Sequence, residues 1–141
     1  MIGAPIDLPP HAEVALGWHR TLEAKDLDAF ADLWTPDAVH EIPYPGALAP
    51  PAFFGREAIV DDYKAMMAHR RDLQFTIHSV IVGASDNRVV VEFSGRSVIG
   101  ETGSLYEQDY IAVFTIDGSR ISRMRLYNDP LRAAAALASI R

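Results

Sequence analysis

Residues 73–127 contain four segments with the same pattern: LQFTIHSVIV (73–82), RVVVEFSGRSVI (88–99), SLYEQDYIAVFTI (104–116) and SRISRMRLY (119–127). Apolar and polar side chains alternate along each segment, which is typical of β-strands with one buried face. Short turn sequences separate the segments, at Ser85-Asp86-Asn87, Gly100 to Gly103 and Asp117-Gly118. These residues therefore predict an antiparallel meander of four strands.

The residues before the meander change to a helical period. A first helix is predicted over about His11 to Ala24, because apolar residues recur at i, i+4 and i+8: Val14, Trp18 and Leu22. Asp26 is the expected N-cap of a second helix, whose apolar stripe of Leu27, Phe30, Leu33 and Trp34 stops at Pro36. A third helix is predicted over Arg56 to His69, and the chain thus opens with a helical hairpin.

Two shorter elements complete the predicted order. A strand over Ala38 to Tyr44 leads into a proline-rich loop, and a C-terminal helix runs from Leu131 to about Ser139, with Asp129 as its cap and Pro130 in its first turn. The order is α-α-β-α-β-β-β-β, followed by the short helix. The meander strands exceed the usual ~5–6 residues, so they must curl. We expect an α+β cone, a curved antiparallel sheet wrapped around three N-terminal helices with a cavity at the wide end.

Composition limits the possible functions. The 141 residues are 49% hydrophobic and 23% charged, which predicts one globular domain over 1–141. The absence of cysteine excludes a thiolate metal site and fits a cytoplasmic location. A net charge of −6 argues against nucleic acid as a partner, and no apolar run approaches the ~20 residues of a membrane span. The N-terminus lacks the features of a signal peptide, and no nucleotide loop, metal-spaced cluster or serine elbow is present, so neither a cofactor nor a metal is expected.

The element order and four local stretches resemble the nuclear transport factor 2-like superfamily, in particular its SnoaL-like polyketide cyclases and the relatives of ketosteroid isomerase. The stretches are EAKDLDAFADLWTPDAVHEIP, FFGREAIVDDYKAM, DYIAVFTIDGSRI and MRLYNDPL. The resemblance implies a cone-shaped fold and a homodimer that pairs through the outer face of the sheet, on which apolar residues are also expected. The superfamily contains isomerases, cyclases, dehydratases, hydrolases and non-enzymatic binders, so the fold does not fix the function.

The ketosteroid isomerase branch uses a carboxylate base together with an oxyanion hole of a tyrosine and a protonated acid. The resemblance places Ile42 at the position of the base and Trp18 at that of the tyrosine, while Tyr110 stands at the position of the acid. Leu126 stands where phenazine-biosynthesis relatives carry a carboxylate. The sequence therefore resembles the same scaffold without that chemistry.

Strand alternation selects the side chains that should face the cavity. With Ile42 inward, His40 and Tyr44 are also inward and Glu41 is outward, unless a bulge before Pro43 reverses this assignment. With Tyr110 inward, Tyr106 and Gln108 follow on the same strand. The candidate catalytic residues are His40, Tyr110 and Tyr106, and the candidate ligand-binding residues are Trp18, Ile42, Tyr44, Tyr63, Met66, Gln108, Met124, Leu126 and Asn128.

Other polar residues are weaker candidates. His78 is expected to point to solvent or to a partner subunit, and His69, beside Arg70 and Arg71, suits the dipole at a helix C-terminus. Glu41 is the alternative carboxylate. Arg96 and Glu101 are expected to pair near a hairpin.

Two functions remain open. In the first, a cofactor-independent isomerase, cyclase or lyase acts on a small apolar or aromatic carbonyl compound: His40 moves the proton, and Tyr110, Tyr106 and Gln108 bind the developing oxyanion. In the second, the protein binds a small ligand without catalysis, His40 and the tyrosines only pack or bond to the backbone, and Asn128 caps the last helix. His40 hydrogen-bonded to another polar group in an open cavity favours the enzyme, whereas a sealed or wholly apolar cavity favours the binder. Burial should lower the pKa of His40 unless Glu41 turns inward.

Overall fold

The computed structural model describes residues 7–137, in which helices and a single sheet alternate in the predicted α+β order. No helix in this range is long and apolar enough to cross a membrane. The elements are α1 (Pro10–Glu23), α2 (Leu27–Asp32), β1 (Trp34–Glu41), β2 (Ala52–Phe54), α3 (Arg56–Met67), β3 (Arg70–Val82), β4 (Arg88–Ile99), β5 (Leu105–Asp117), β6 (Arg120–Asn128) and α4 (Pro130–Leu137). The end of the predicted C-terminal helix, residues 138–139, lies outside the described range.

The six strands form one sheet in the order β2-β1-β6-β5-β4-β3. Strands β3 to β6 form the predicted antiparallel meander, and β1 pairs in parallel with β6. The register shifts within the β1–β6, β3–β4 and β5–β6 pairs, and such irregularities increase strand bending and twist. The sheet therefore curves around the helices, as the cone prediction requires.

The start of the sheet differs from the prediction. Trp34, expected at the end of the second helix, is the first residue of β1 and pairs with Ile121 of β6. The Leu33 carbonyl also accepts a hydrogen bond from the Ile121 amide at 2.6 Å. Pairing with a distant strand thus overrides the helical stripe that local spacing indicated. The strand ends at Glu41 rather than at Tyr44, because Pro43 and Pro45 cannot donate the hydrogen bonds that would extend it.

The edge strand β2 was not predicted. Its three residues lie in the segment interpreted as a loop, and they pair antiparallel with the end of β1, where Phe53 faces His40 in register. A strand of this length carries too little alternation to be recognised from the sequence. Its effect is to hold His40 on an interior strand, between β2 and β6.

The helix α1 fills the concave side of the sheet. Trp18 and Leu22 are buried as predicted, and the Trp18 ring lies 5.6 Å from Phe93 and 6.3 Å from Phe114 of the sheet, measured between ring centroids. The predicted N-cap is confirmed, since the Asp26 carboxylate accepts a hydrogen bond from the Ala29 amide at 3.0 Å.

Gly95 of β4 shapes the sheet wall that faces α1. A Cβ at Gly95 would lie 3.2 Å from both the Phe75 and the Tyr110 ring, closer than most real Cβ contacts. The missing side chain lets the Tyr110 ring stack on Phe93, with 4.8 Å between centroids and 14° between planes. This packing fixes Tyr110 beside the space that the helices leave unfilled.

Candidate functional site

A cavity of about 350 Å³ lies between the concave sheet, α3, the loop after β1 and α4. Most of its lining is apolar, and its volume is at the small end of ligand cavities, which span roughly 300–1,000 Å³. Three further depressions, beside α1 and along the outer strands, are more open to solvent and contain few of the candidate residues. The interior cavity is therefore the candidate functional site.

The structure brings nine of the twelve candidate residues to this cavity. They are Trp18, His40, Ile42, Tyr63, Met66, Tyr106, Tyr110, Leu126 and Asn128. None of these side chains is among the exposed large hydrophobics or exposed residues of the described chain. The last helix is capped by Asp129, whose carboxylate accepts a hydrogen bond from the Leu131 amide at 2.9 Å, so Asn128 is not needed as its cap.

The other three candidates do not line the cavity. Tyr44 is 62% exposed and packs against Tyr127 on the outer face, at 5.9 Å between centroids. Its predicted inward orientation is wrong because β1 ends at Glu41, so strand alternation no longer applies three residues later. Met124 is fully buried in the hydrophobic core, away from the cavity wall.

Gln108 has a supporting position instead of a direct one. Its side-chain amide donates hydrogen bonds to the Tyr106 hydroxyl at 3.0 Å and to the Asp129 carbonyl at 2.8 Å. Its carbonyl oxygen accepts from the Asp129 amide at 3.2 Å. The expectation that Gln108 binds ligand oxygen is therefore corrected: the start of α4 occupies its amide, which in turn holds the Tyr106 hydroxyl.

His40 forms a buried pair with Tyr63. Its Nε2 lies 2.7 Å from the Tyr63 hydroxyl, and its side chain is 1% exposed. The imidazole stacks on Trp34, with 5.9 Å between centroids, and Phe53 contacts it edge-on. Burial lowers the pKa of His40 to about 4, in the predicted direction. His40 is therefore a neutral imidazole at pH 7.

Tyr63 was predicted as part of the apolar wall, and its hydroxyl was not recognised as the partner of His40. Burial raises its pKa well above the ordinary value, and the nearby Asp62 carboxylate adds to this rise. Tyr63 thus stays protonated, and one proton lies in the short contact between the hydroxyl and the imidazole.

A second polar group surrounds Tyr106 and Tyr110. The Arg70 guanidinium lies over the Tyr106 ring, 4.9 Å from its centroid. Burial raises the pKa of Tyr110, and Arg70 acts in the opposite direction. The sequence placed Arg70 at a helix C-terminus; the structure places it on the cavity wall, at the first residue of β3.

Two further titratable side chains line the cavity, and Glu41 lies outside it. Asp62 lines the cavity, and burial raises its pKa. His69 also lines it and forms a short hydrogen bond with Glu101, which replaces the predicted Arg96–Glu101 pair. Glu41 points outward as predicted, and its bond to Arg123 lowers its pKa.

Metal chemistry has no candidate ligand set in the described part of the chain. No group of three or more His, Asp or Glu side chains within residues 7–137 is arranged to hold a metal ion.

The curved sheet, the enclosed helices and the interior cavity define a nuclear transport factor 2-like protein. Residues 15–124 match the SnoaL-like domain, and the chain belongs to that family. The resemblance inferred from the sequence is thereby confirmed.

Three similar proteins illustrate the family. The uncharacterized protein YesE of Bacillus subtilis is 36% identical over 107 residues, which cover 76% of this chain and 73% of YesE. The uncharacterized PhzA/B-like protein PA3332 of Pseudomonas aeruginosa is 32% identical over 125 residues, 86% of this chain and 85% of PA3332. A crystal structure described as "Putative Isomerase from Bacillus subtilis" superposes with a TM-score of 0.85 at 32% identity, covering 92% of this chain and 93% of that one.

Proposed function

We propose that this protein binds a small apolar or aromatic carbonyl compound in the interior cavity and acts on it as a cofactor-independent isomerase, cyclase or lyase. The observation that carries the proposal is the 2.7 Å contact between His40 Nε2 and the Tyr63 hydroxyl at the wall of a cavity. A histidine bonded to a second polar group in such a space is the arrangement that favours an enzyme over a binder. The description "Putative Isomerase" given to a 32% identical protein of Bacillus subtilis is consistent with this choice.

The geometry suggests a path for the proton. Because Nε2 is already bonded to Tyr63, a proton leaving a ligand carbon passes to the Tyr63 oxygen while the Tyr63 proton moves to His40. The electron pair of the broken C–H bond moves onto the ligand carbonyl oxygen and forms an enolate. Return of the proton to a different atom completes an isomerisation or prepares a ring closure.

The tyrosines of β5 are placed to stabilise the enolate oxygen. The Tyr106 hydroxyl accepts a hydrogen bond from Gln108 and interacts with the Tyr110 hydroxyl, so the two hydroxyls form one polar group at the cavity wall. Tyr110 stays protonated because burial raises its pKa. Donors fixed by packing before the reaction stabilise charge without reorganisation, which is the basis of an oxyanion hole.

The low pKa of His40 narrows the substrate class. An imidazole with a pKa of about 4 is a weak base, so it removes only a proton that is already acidic. A carbon between two carbonyl groups, or one whose enolate becomes aromatic, meets this condition. Small polyketide-like compounds contain both kinds of carbon.

A non-catalytic binding protein is the second candidate. Ile42 and Leu126 line the cavity as apolar side chains, and the resemblance places catalytic carboxylates of related enzymes at these positions. An apolar lining with few polar groups also suits simple binding.

Hydrogen–deuterium exchange separates the two candidates. Small ketones, phenols and polyketide-like lactones are screened for binding by protein NMR, and the compounds that bind are incubated with the protein in D₂O. Under the enzyme proposal, the acidic C–H signal of a bound ketone or lactone disappears from its proton spectrum far faster than without protein. Binding without accelerated exchange of any such compound would favour the binder.

We also propose a homodimer that pairs through the outer sheet face. Ile81 and Ile111 lie on this face with 52% and 41% of their surface exposed, and Tyr44 lines the same depression as Ile111. Light scattering after size exclusion at micromolar concentration should give twice the mass of the chain, and Ile111→Glu should give the monomer mass. A wild-type monomer would contradict this.

A cytoplasmic location completes the proposal, since a chain without cysteine forms no disulfide, and fractionation of cells that express it tests the location.

A further inference from the structure

The cavity wall carries a cation without an acidic partner. Arg70 is half-buried, and it forms no ion pair with a carboxylate in residues 7–137. Its Nε is buried and has no hydrogen-bond acceptor within this range. By contrast, Arg123 and Arg132, on the protein surface, each contact a carboxylate. Removing a guanidinium from water without pairing it is costly, so such a group calls for an anion.

The carboxylate that lines the same cavity, Asp62, does not pair with Arg70. Asp62 lines the same cavity but lies beyond ion-pair distance from Arg70, and burial alone accounts for the shift of its pKa. Glu101 is bonded to His69. Arg70 interacts with the Tyr110 hydroxyl, and its buried Nε is left without an acceptor in residues 7–137, so it can bind something that enters the cavity.

The surroundings hold the guanidinium in a fixed orientation. Its carbon lies 4.9 Å from the centroid of the Tyr106 ring, and Gln108 holds the Tyr106 hydroxyl. A guanidinium on an aromatic face is a preorganised planar fork, which matches the two oxygens of a carboxylate. Tyr110 adds a hydroxyl to the same group. Burial raises the pKa of this hydroxyl, and Arg70 lowers it through its charge and a side-chain hydrogen bond.

From these observations we infer that Arg70, Tyr106 and Tyr110 form a subsite for a carboxylate group on the ligand. The substrate class is then a small carboxylic acid with an apolar or aromatic body. This inference rests on the proposed function, since it describes a second end of the same site. His40 lies on β1 and Arg70 on β3, with three strands between them in the sheet. A ligand that reaches both carries its carbonyl group at one end and its carboxylate at the other, as in an aromatic keto acid.

Two probes of equal shape test the subsite. Binding of 2-naphthoate and of its neutral counterpart 2-acetonaphthone is measured by calorimetry for the wild type and for Arg70→Gln, Arg70→Lys and Arg71→Gln. The wild type should bind naphthoate about tenfold more tightly or better, which is the scale of hydrogen bonds to charged groups. Arg70→Gln should remove this preference and keep ketone binding within about twofold, because the apolar cavity remains.

The other variants serve as controls. Arg70→Lys should retain part of the preference, since it keeps the charge without the planar fork. Arg71→Gln should behave as the wild type, because Arg71 is exposed and lies outside the cavity. If Arg70→Gln does not fold, a crystal of the wild type with naphthoate decides: a carboxylate against Arg70 supports the subsite, and one in the solvent overturns it.

The results also separate this inference from the proposed function. Equal binding of the two probes, or a preference that survives Arg70→Gln, overturns the carboxylate subsite and leaves carbonyl binding intact. Failure of the wild type to bind either probe at millimolar concentration overturns both for ligands of this shape.

Discussion

His19 and His40 are both buried, yet only one of them lies at the candidate site. Their exposed fractions are 3% and 1%, and burial lowers their pKa values to about 3 and about 4. His40 contacts the Tyr63 hydroxyl on the cavity wall. His19 lies outside the cavity, with Trp18 and Phe93 rings at 4.8 and 4.4 Å between centroids. A shifted pKa therefore marks burial in both cases. His40 adds a polar side-chain partner at the interior cavity, whereas His19 borders an open depression beside α1 and packs against aromatic rings.

The largest predicted effect is shared by the two histidines. Each binds a proton more readily in the unfolded chain, with a pKa near 6.5, than in the folded protein. Their contribution to stability is complete above pH 6.5 and is lost as the pH falls toward the folded values. Between pH 7 and 5 each should reduce the free energy of unfolding by about 2 kcal/mol, and the pair by roughly 4 kcal/mol. Urea denaturation at pH 7, 6 and 5 measures this loss.

His19→Leu and His40→Gln test the assignment separately. Each variant should remove about half of the pH-dependent loss, because one of two titrating groups is gone. His19→Leu should still bind the same ligands as the wild type. An unchanged pH dependence in both variants would show that other groups cause the loss.

The next effect tests the catalytic role of His40 through turnover. His40→Gln should lower turnover by about 10²-fold or more, the usual contribution of a general acid or base. His78→Gln is the control, since His78 is exposed and bonded to Ser94 on the outer face. Rates are measured with the first compound that shows protein-dependent exchange. A wild-type rate in His40→Gln would exclude His40 and direct attention to Tyr106 and Tyr110.

The contact between His40 and Tyr63 predicts a second effect on turnover. Tyr63→Phe keeps the ring and removes the hydroxyl, so the path between the ligand and Nε2 is interrupted. Turnover should fall by about as much as in His40→Gln, and the double variant should lose little more than either single variant. Fully additive losses would mean that the two side chains act independently. Tyr127→Phe, on the outer face, is the matched control.

Regular periodicity made much of this molecule predictable. The alternation in residues 73–127 predicted the meander, and β4 runs over the predicted residues, Arg88–Ile99. The resemblance placed Tyr110 at an inward position and alternation along β5 added Tyr106, and both line the cavity. These predictions succeed because a period of two survives wherever one face of a strand is buried.

The rest depended on contacts between distant elements. Trp34 belongs to a strand because it pairs with Ile121, and nothing in its local sequence indicates that pairing. Tyr63 was assigned to the correct wall, but helical spacing does not show that its hydroxyl reaches a strand residue 23 positions away. Arg70 stands next to a helix C-terminus in the sequence, where the helix dipole already explains a positive charge. A search for half-buried charges without local partners, the signal that Arg70 carries, requires the folded chain.

Asp62 offers the smallest and most specific test of the comparison. The burial that lowers the pKa values of the two histidines raises that of Asp62, because it disfavours the charged form in each case. Asp62 lines the cavity, as His40 does, so an ionised Asp62 should weakly repel a carboxylate ligand. Asp62→Asn should therefore tighten the binding of 2-naphthoate about two- to threefold and leave that of 2-acetonaphthone unchanged. Calorimetry at pH 7 and low salt measures both. If ketone binding instead weakens, Asp62 contacts the ligand through a hydrogen bond, and a third titratable group joins His40 and Tyr63 at the site.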